Sequence, residues 1–121
     1  MTFNGVSVAG RRVLIVEDNF HIADAIARVL KAQGAEIIGP FGTVNDALAL
    51  IADSERIDGA ALDINLHGKM VYPVVDVLRS RSVPMVFMTG YDPRSIEPAY
   101  AEVPRMQKPL TVERLVQALF G

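Results

Sequence analysis

The stretch Val13 to Asn19, reading VLIVEDN, decides the fold. Four apolar residues, Val13 to Val16, are stopped at once by Glu17 and Asp18. A short unbroken apolar run ended by polar residues is the pattern of a strand buried on both faces. The next segment changes period. From Phe20 to Gln33, residues Ala23, Ile26, Ala27 and Leu30 fall at i, i+3, i+4 and i+7, one face of a helix, and Gly34 is a good stop.

The same alternation continues outward. Glu36 to Ile38 is a weaker strand ending at Gly39-Pro40. Thr43 can cap a second helix with the stripe Val44, Ala47, Leu48 and Ile51. Ala60 to Leu62 is a third apolar run, ended by Asp63. Val71, Val74, Val75 and Leu78 mark a third helix, with Pro73 in its first turn. Met85 to Met88 is a fourth strand, followed by Thr89-Gly90. Between Tyr91 and Pro104, Ile96, Ala99, Tyr100 and Val103 keep helical spacing, but Pro93, Pro98 and Pro104 interrupt it. An interior proline costs a helix about 3 kcal/mol, so a short or irregular fourth helix is expected. Arg105 to Lys108 is a short fifth strand before Pro109. Thr111 then caps a last helix carrying Val112, Leu115, Val116 and Leu119 on one face.

Five strands alternating with five helical segments predict an α/β domain with a parallel sheet, right-handed crossovers and helices on both faces. The 121 residues allow one domain. Residues 1–11 read as a loose N-terminal extension and 12–121 as the domain. The chain has no cysteine, which excludes a disulfide scaffold, a thiolate zinc site and a thiol nucleophile. Its two histidines, His21 and His67, are too few for a His-rich metal site and read as solvated. A net charge of −2 with no basic run argues against nucleic acid as a direct partner. No apolar run approaches the roughly 18 residues that would span a bilayer, and residues 1–10 lack a secretory pattern. A cytoplasmic protein is expected.

The polar residues fall where a parallel sheet places its ligands. Glu17 and Asp18 follow the first strand, Asp63 ends the third, Thr89 the fourth and Lys108 the fifth. The carboxyl ends of such strands share one edge, where ligands bind. Three carboxylates, one ammonium and one hydroxyl are therefore expected in one shallow pocket. The carboxylates repel one another unless a cation sits among them, and Mg²⁺, hard and oxygen-seeking, suits the set. A carboxylate can also accept a phosphoryl group as an acyl phosphate.

In VLIVEDN (13–19), ALDINLHG (61–68), VFMTGY (86–91) and QKP (107–109), in this order and spacing, the chain resembles the receiver domains of two-component response regulators. Within them it is similar to the single-domain FAT GUY receivers, with Met88 at the second position of that motif. The resemblance implies a flavodoxin-like doubly wound five-stranded sheet of order 2-1-3-4-5 with about five helices. It implies Asp63 as phosphoacceptor and Asp18, Asp63 and the Asn65 backbone carbonyl as Mg²⁺ ligands, with Glu17 acting through water. Thr89 and Lys108 would hold the phosphoryl group. Asn65 and Tyr91 would tune its lifetime, and a cis bond would precede Pro109. Most receivers carry an aromatic residue three positions before the lysine. Here Arg105 stands there, so output is expected to involve residues 91–104, with Tyr91 or Arg105 moving. The donor would be a histidine kinase or a histidine phosphotransfer protein, and output would pass to a downstream protein whose identity is unknown. Two other readings stay open: a receiver-like binding module independent of phosphate, and a small phosphatase. Asn65, where such phosphatases carry a second aspartate, speaks against the last.

Overall fold

The computed structural model describes residues 5–53, 56–90 and 96–121. Its elements are β1 (Arg12–Val16), α1 (Phe20–Ala32), β2 (Glu36–Phe41), α2 (Val44–Asp53), β3 (Gly59–Asp63), β4 (Asn65–Leu66), β5 (Lys69–Met70), α3 (Tyr72–Ser80), β6 (Met85–Thr89), a 3₁₀ turn (Pro98–Tyr100), β7 (Arg105–Gln107) and α4 (Val112–Phe120). The main sheet is parallel, in the order β2-β1-β3-β6-β7. With β4 and β5 set aside as a separate hairpin, this is the 2-1-3-4-5 order of a flavodoxin-like fold. β3 and β6 are buried at every position, as apolar runs in a sheet covered on both faces must be.

Two apolar layers flank the sheet. Leu14, Val16, Leu62 and Phe87 meet the stripes of α2 and α3 on one side, Ala47, Ile51, Val74, Val75 and Leu78. Val13, Ile15, Val86 and Met88 meet α1 and α4 on the other, through Ala23, Ile26, Ala27, Leu30, Leu115, Val116 and Leu119. The odd–even split of β1 between the layers follows from the period of two in a strand.

Four details refine or depart from the sequence reading. First, the short or irregular fourth helix expected between Tyr91 and Pro104 is, among the described residues, a single 3₁₀ turn at Pro98–Tyr100, beside four α-helices. Pro98 and Pro104 leave too few consecutive amide donors for an α-helix. Second, β2 does not end at Gly39-Pro40 but runs on to Phe41. An edge strand tolerates proline. Gly39, at φ +100°, lies so close to β1 that a Cβ would stand 2.9 Å from the Ile15 carbonyl oxygen. Third, within the segment read as a loose extension, residues 8–10 are packed: Val8 is fully buried, and Gly10 N–H donates to Gly34 O at 3.0 Å. Fourth, the hairpin β4–β5 has no periodic signal, because two-residue strands are too short to show one.

Candidate functional site

The strand ends build the site. Extension of β2 to Phe41 lets Glu17 N–H donate to Phe41 O at 2.9 Å, which fixes the backbone just past β1. Glu17 then turns inward, with Oε1 accepting from Asn19 N–H at 3.0 Å. Asn19, not Asp18, caps α1: its Oδ1 accepts from His21 N–H at 3.0 Å and from Ile22 N–H at 3.2 Å. An Asx residue at this position meets amides the helix itself cannot satisfy. Asp18 is thereby released from capping and faces the β4–β5 turn, where Oδ2 accepts from His67 N–H at 3.2 Å.

Asp63 ends β3 almost fully buried, and Asn65 N–H reaches its Oδ1 at 3.4 Å. Lys108 follows β7, held by its N–H to Thr89 O at 2.8 Å and followed by a cis bond to Pro109, as expected. Its Nζ lies 2.7 Å from Glu17 Oε2 and 3.4 Å from Asp63 Oδ2. Residues 17, 18, 63, 65 and 108 thus line one pocket of roughly 530 Å³ with Asn19, Ile22, His67, Gly68 and Gly90. Thr89 is buried at the end of β6, beside the Gly90 wall. Arg105 is not in the pocket; its Nη2 donates to Ala101 O at 2.9 Å. Tyr91 lies outside the described residues. Sequence reading missed Asn19 and His67. The Leu66-His67-Gly68-Lys69 turn signal was there, but nothing in it says that the turn folds over Asp18.

The electrostatics are those of a site short of positive charge. Burial and the Glu17 carboxylate push the Asp63 carboxyl up to about 7, against the pull of Lys108 and the Asn65 amide. Burial alone would lower Lys108, but the Glu17 and Asp63 carboxylates outweigh it and hold its ammonium above the ordinary range. Among the described residues, the buried Glu17 Oε2 takes its charge partner from the Lys108 ammonium alone, at 2.7 Å. Glu17, Asp18 and Asp63 each offer an oxygen, all within 4.8 Å of one another. An all-oxygen set of three carboxylates facing one lysine ammonium fits a hard divalent cation. Among the described residues no helix is long and apolar enough to cross a membrane.

No family model matches the chain. Solved structures do. The solution structure of SdrG from Sphingomonas melonis Fr1 is 36% identical, covers 93% of this chain and 95% of that one, and superposes with a TM-score of 0.78. The BeF₃-activated conformation of SdrG, from Pseudomonas melonis Fr1, is 37% identical over 92% of this chain and 94% of that one, with a TM-score of 0.73. The receiver (REC) domain of the response regulator PhyR from Erythrobacter litoralis is 26% identical, covers 91% and 87%, and scores 0.76. Among curated proteins, the phyllosphere-induced regulator PhyR of Methylorubrum extorquens is 29% identical over 116 residues, 89% of this chain and 43% of that protein. The chain spans about half the length of the curated relatives it matches.

Proposed function

The chain belongs to the response-regulator receiver family, and from that premise we propose that it accepts a phosphoryl group on Asp63 and signals or relays by protein–protein contact. The donor is a histidine kinase or a histidine phosphotransfer protein, the cation is Mg²⁺, and the receiver works in the cytoplasm. Receivers are signalling modules, and no turnover of an external substrate is proposed. One observation carries the reading: residues 17, 18, 63 and 108, from three strand ends, meet around a buried carboxylate with a lysine ammonium 3.4 Å away.

An Asp63 oxygen attacks the phosphorus of a phosphohistidine. The P–O bond forms as the P–N bond breaks, and that bond's electron pair stays on the imidazole nitrogen. Such transfer is catalysed by positioning and charge neutralisation. Lys108 stands where it can follow the negative charge from the Asp63 carboxylate to the transferred phosphoryl oxygens. The Thr89 hydroxyl is assigned to one of those oxygens. Asp18, Asp63 and the Asn65 carbonyl would hold Mg²⁺, with Glu17 reaching it through water; when bound, the ion supplies the positive charge that three carboxylates lack. Asn65, Tyr91 and Pro109 keep the modulating roles their positions suggest. Arg105 is assigned to output rather than to chemistry, since it lies outside the pocket.

The test is intact-mass spectrometry after incubation with Mg²⁺ and a small acyl-phosphate donor. One added phosphoryl group is expected, absent in Asp63→Asn and absent without the metal. A folded, Mg²⁺-binding protein that takes no phosphoryl group from the small donor or from a panel of phosphohistidine proteins would leave only a phosphate-independent binding module.

A further inference from the structure

Asp18 sits among like charges and yet keeps its place. Glu17, Asp18 and Asp63 each offer an oxygen within 4.8 Å of the others, and Lys108 pairs with Glu17 and Asp63. The two neighbouring carboxylates repel Asp18. The β4–β5 turn holds it against them: His67 N–H donates to Asp18 Oδ2 at 3.2 Å, across 49 positions of sequence.

That turn is not stable by itself. Two-residue strands, Asn65–Leu66 and Lys69–Met70, flank His67 and Gly68, and both turn residues have left-handed backbone, at φ +51° and +87°. Such a turn suits Asn-Gly or Gly-Gly, and a histidine at its first position is strained. An isolated hairpin is marginal in water even with longer strands. A side chain supplies the missing hold: Asn65 Oδ1 accepts from Gly68 N–H at 2.7 Å. Just past β5, Val71 N–H donates to Ile64 O at 2.9 Å and closes the foot of the hairpin.

We propose that Asn65 is a positioning residue for the cation site. Its side-chain oxygen locks the turn, and the locked turn presents the His67 amide that keeps Asp18 beside Glu17 and Asp63. The proposal rests on the cation site of the receiver reading. It adds a route by which a side chain two positions after Asp63 acts on an acid delivered by a different strand. The Asn65 amide oxygen is engaged with Gly68 N–H, so the side chain bears on the cluster through the turn. Groups that orient a metal ligand move metal affinity by about ten- to a hundredfold. Asn65 stands one step further out than such a group, which places it at the lower end of that range.

The experiment joins hydrogen exchange of the metal-free full chain, read by NMR, to calorimetric titration with Mg²⁺. Asn65→Ala should speed exchange at His67 and Gly68 and weaken Mg²⁺ binding, each about tenfold, while the amides of β1 and β3 keep their protection. Asn65→Asp keeps an acceptor for Gly68 N–H and adds negative charge beside the cluster. Its two amides should stay protected and its Mg²⁺ affinity should not fall. Gly68→Ala strains the same turn through its backbone, and the added Cβ meets nothing within 4 Å, so it should reproduce the loss seen in Asn65→Ala. Weakened Mg²⁺ binding in Asn65→Ala with His67 still protected, or without a matching loss in Gly68→Ala, would overturn the route through the turn. Faster exchange throughout the sheet would make Asn65 a general stabiliser and overturn the proposal as well. Failure of wild type to bind Mg²⁺, with both amides protected, would overturn the cation site from which the proposal starts.

Discussion

The pocket at the carboxyl edge of the sheet and the connection between β6 and β7 are built in opposite ways. In the pocket, a few side chains with fixed chemistry are delivered by strands that end where they must. In the connection, residues 96–104 take their shape from a neighbour. Tyr72, Asp76 and Arg79 lie on one face of α3, at i, i+4 and i+7. The rings of Tyr72 and Tyr100 stack with centroids 4.1 Å apart and planes 2° from parallel. The Tyr72 hydroxyl accepts from Glu97 N–H at 3.1 Å, and the Tyr100 hydroxyl donates to Asp76 Oδ1 at 3.0 Å. Arg79 lies over the Tyr100 ring at 5.1 Å and donates to Ala99 O at 3.0 Å. A strap held this way is the form taken by the short or irregular helix expected there. The pocket is held by charge that wants a cation, the strap by stacking and hydrogen bonds that do not.

Metal-free stability should separate them most strongly. The Asp63 carboxyl is raised from 3.8 to about 7 by burial and by Glu17. The folded protein therefore binds a proton that the unfolded chain releases between those values. The Asp63 contribution to stability should be fully present below pH 4, fall as pH rises toward 7, and level off above it. A tenfold change in proton affinity is worth ~1.4 kcal/mol, so the full decline is on the order of 4 kcal/mol. Urea midpoints in a chelator, measured from pH 4 to pH 8, would show it. Asp63→Asn should flatten the profile, and millimolar Mg²⁺ should restore stability at neutral pH by binding the folded state alone. A wild-type profile as flat as that of Asp63→Asn would remove the strained carboxylate from the picture.

Lys108 comes next. Lys108→Met keeps the stem but takes the ammonium from between Glu17 and Asp63. Breaking a buried pair strands its partners, a loss of about 3 kcal/mol at neutral pH without metal. The loss should shrink when Mg²⁺ is added or when the pH is lowered to protonate Asp63. A loss independent of both would mean that Lys108 acts through packing and not through charge.

The same contrast explains what the sequence made legible. VLIVEDN showed both a buried strand and the acidic pair that follows it, because strand burial and strand-end chemistry are local in sequence. Asp63, Thr89 and Lys108 were legible for the same reason, and the sheet order supplied their convergence. Asp18 and Asn19 both suit capping, and only the contact of Asp18 with the β4–β5 turn, with Asn19 meeting the first helical amides, decides between them. Tyr72, Asp76 and Arg79 looked like the outer positions of an amphipathic helix. That they grip Tyr100, some 20 residues later, is a tertiary fact with no periodic signature. Arg105 was legible as a missing aromatic, but its bond to Ala101 O, which ties β7 to the strap, was not.

The smallest effects belong to the strap, and they show whether it is one unit. Tyr72→Phe keeps the ring stack and leaves Glu97 N–H without its acceptor, a loss of about 1 kcal/mol. Arg79→Ala removes a guanidinium over an outer ring face, about 0.5 kcal/mol at so open a site. Both changes should speed amide exchange across residues 96–103 while leaving the pH dependence of the pocket untouched. The chain contains no tryptophan, so near-ultraviolet circular dichroism reports on its three tyrosines, and the stacked pair should dominate that signal. Tyr72→Phe should weaken the signal modestly and Tyr100→Ala should remove most of it. If the dichroism of wild type also changes when BeF₃⁻ and Mg²⁺ are added, and that change is lost in Tyr100→Ala, the stack has taken over the coupling role left open by Arg105. If the stack signal is indifferent to BeF₃⁻, the strap is a structural clasp, and pocket and strap are independent parts of one fold.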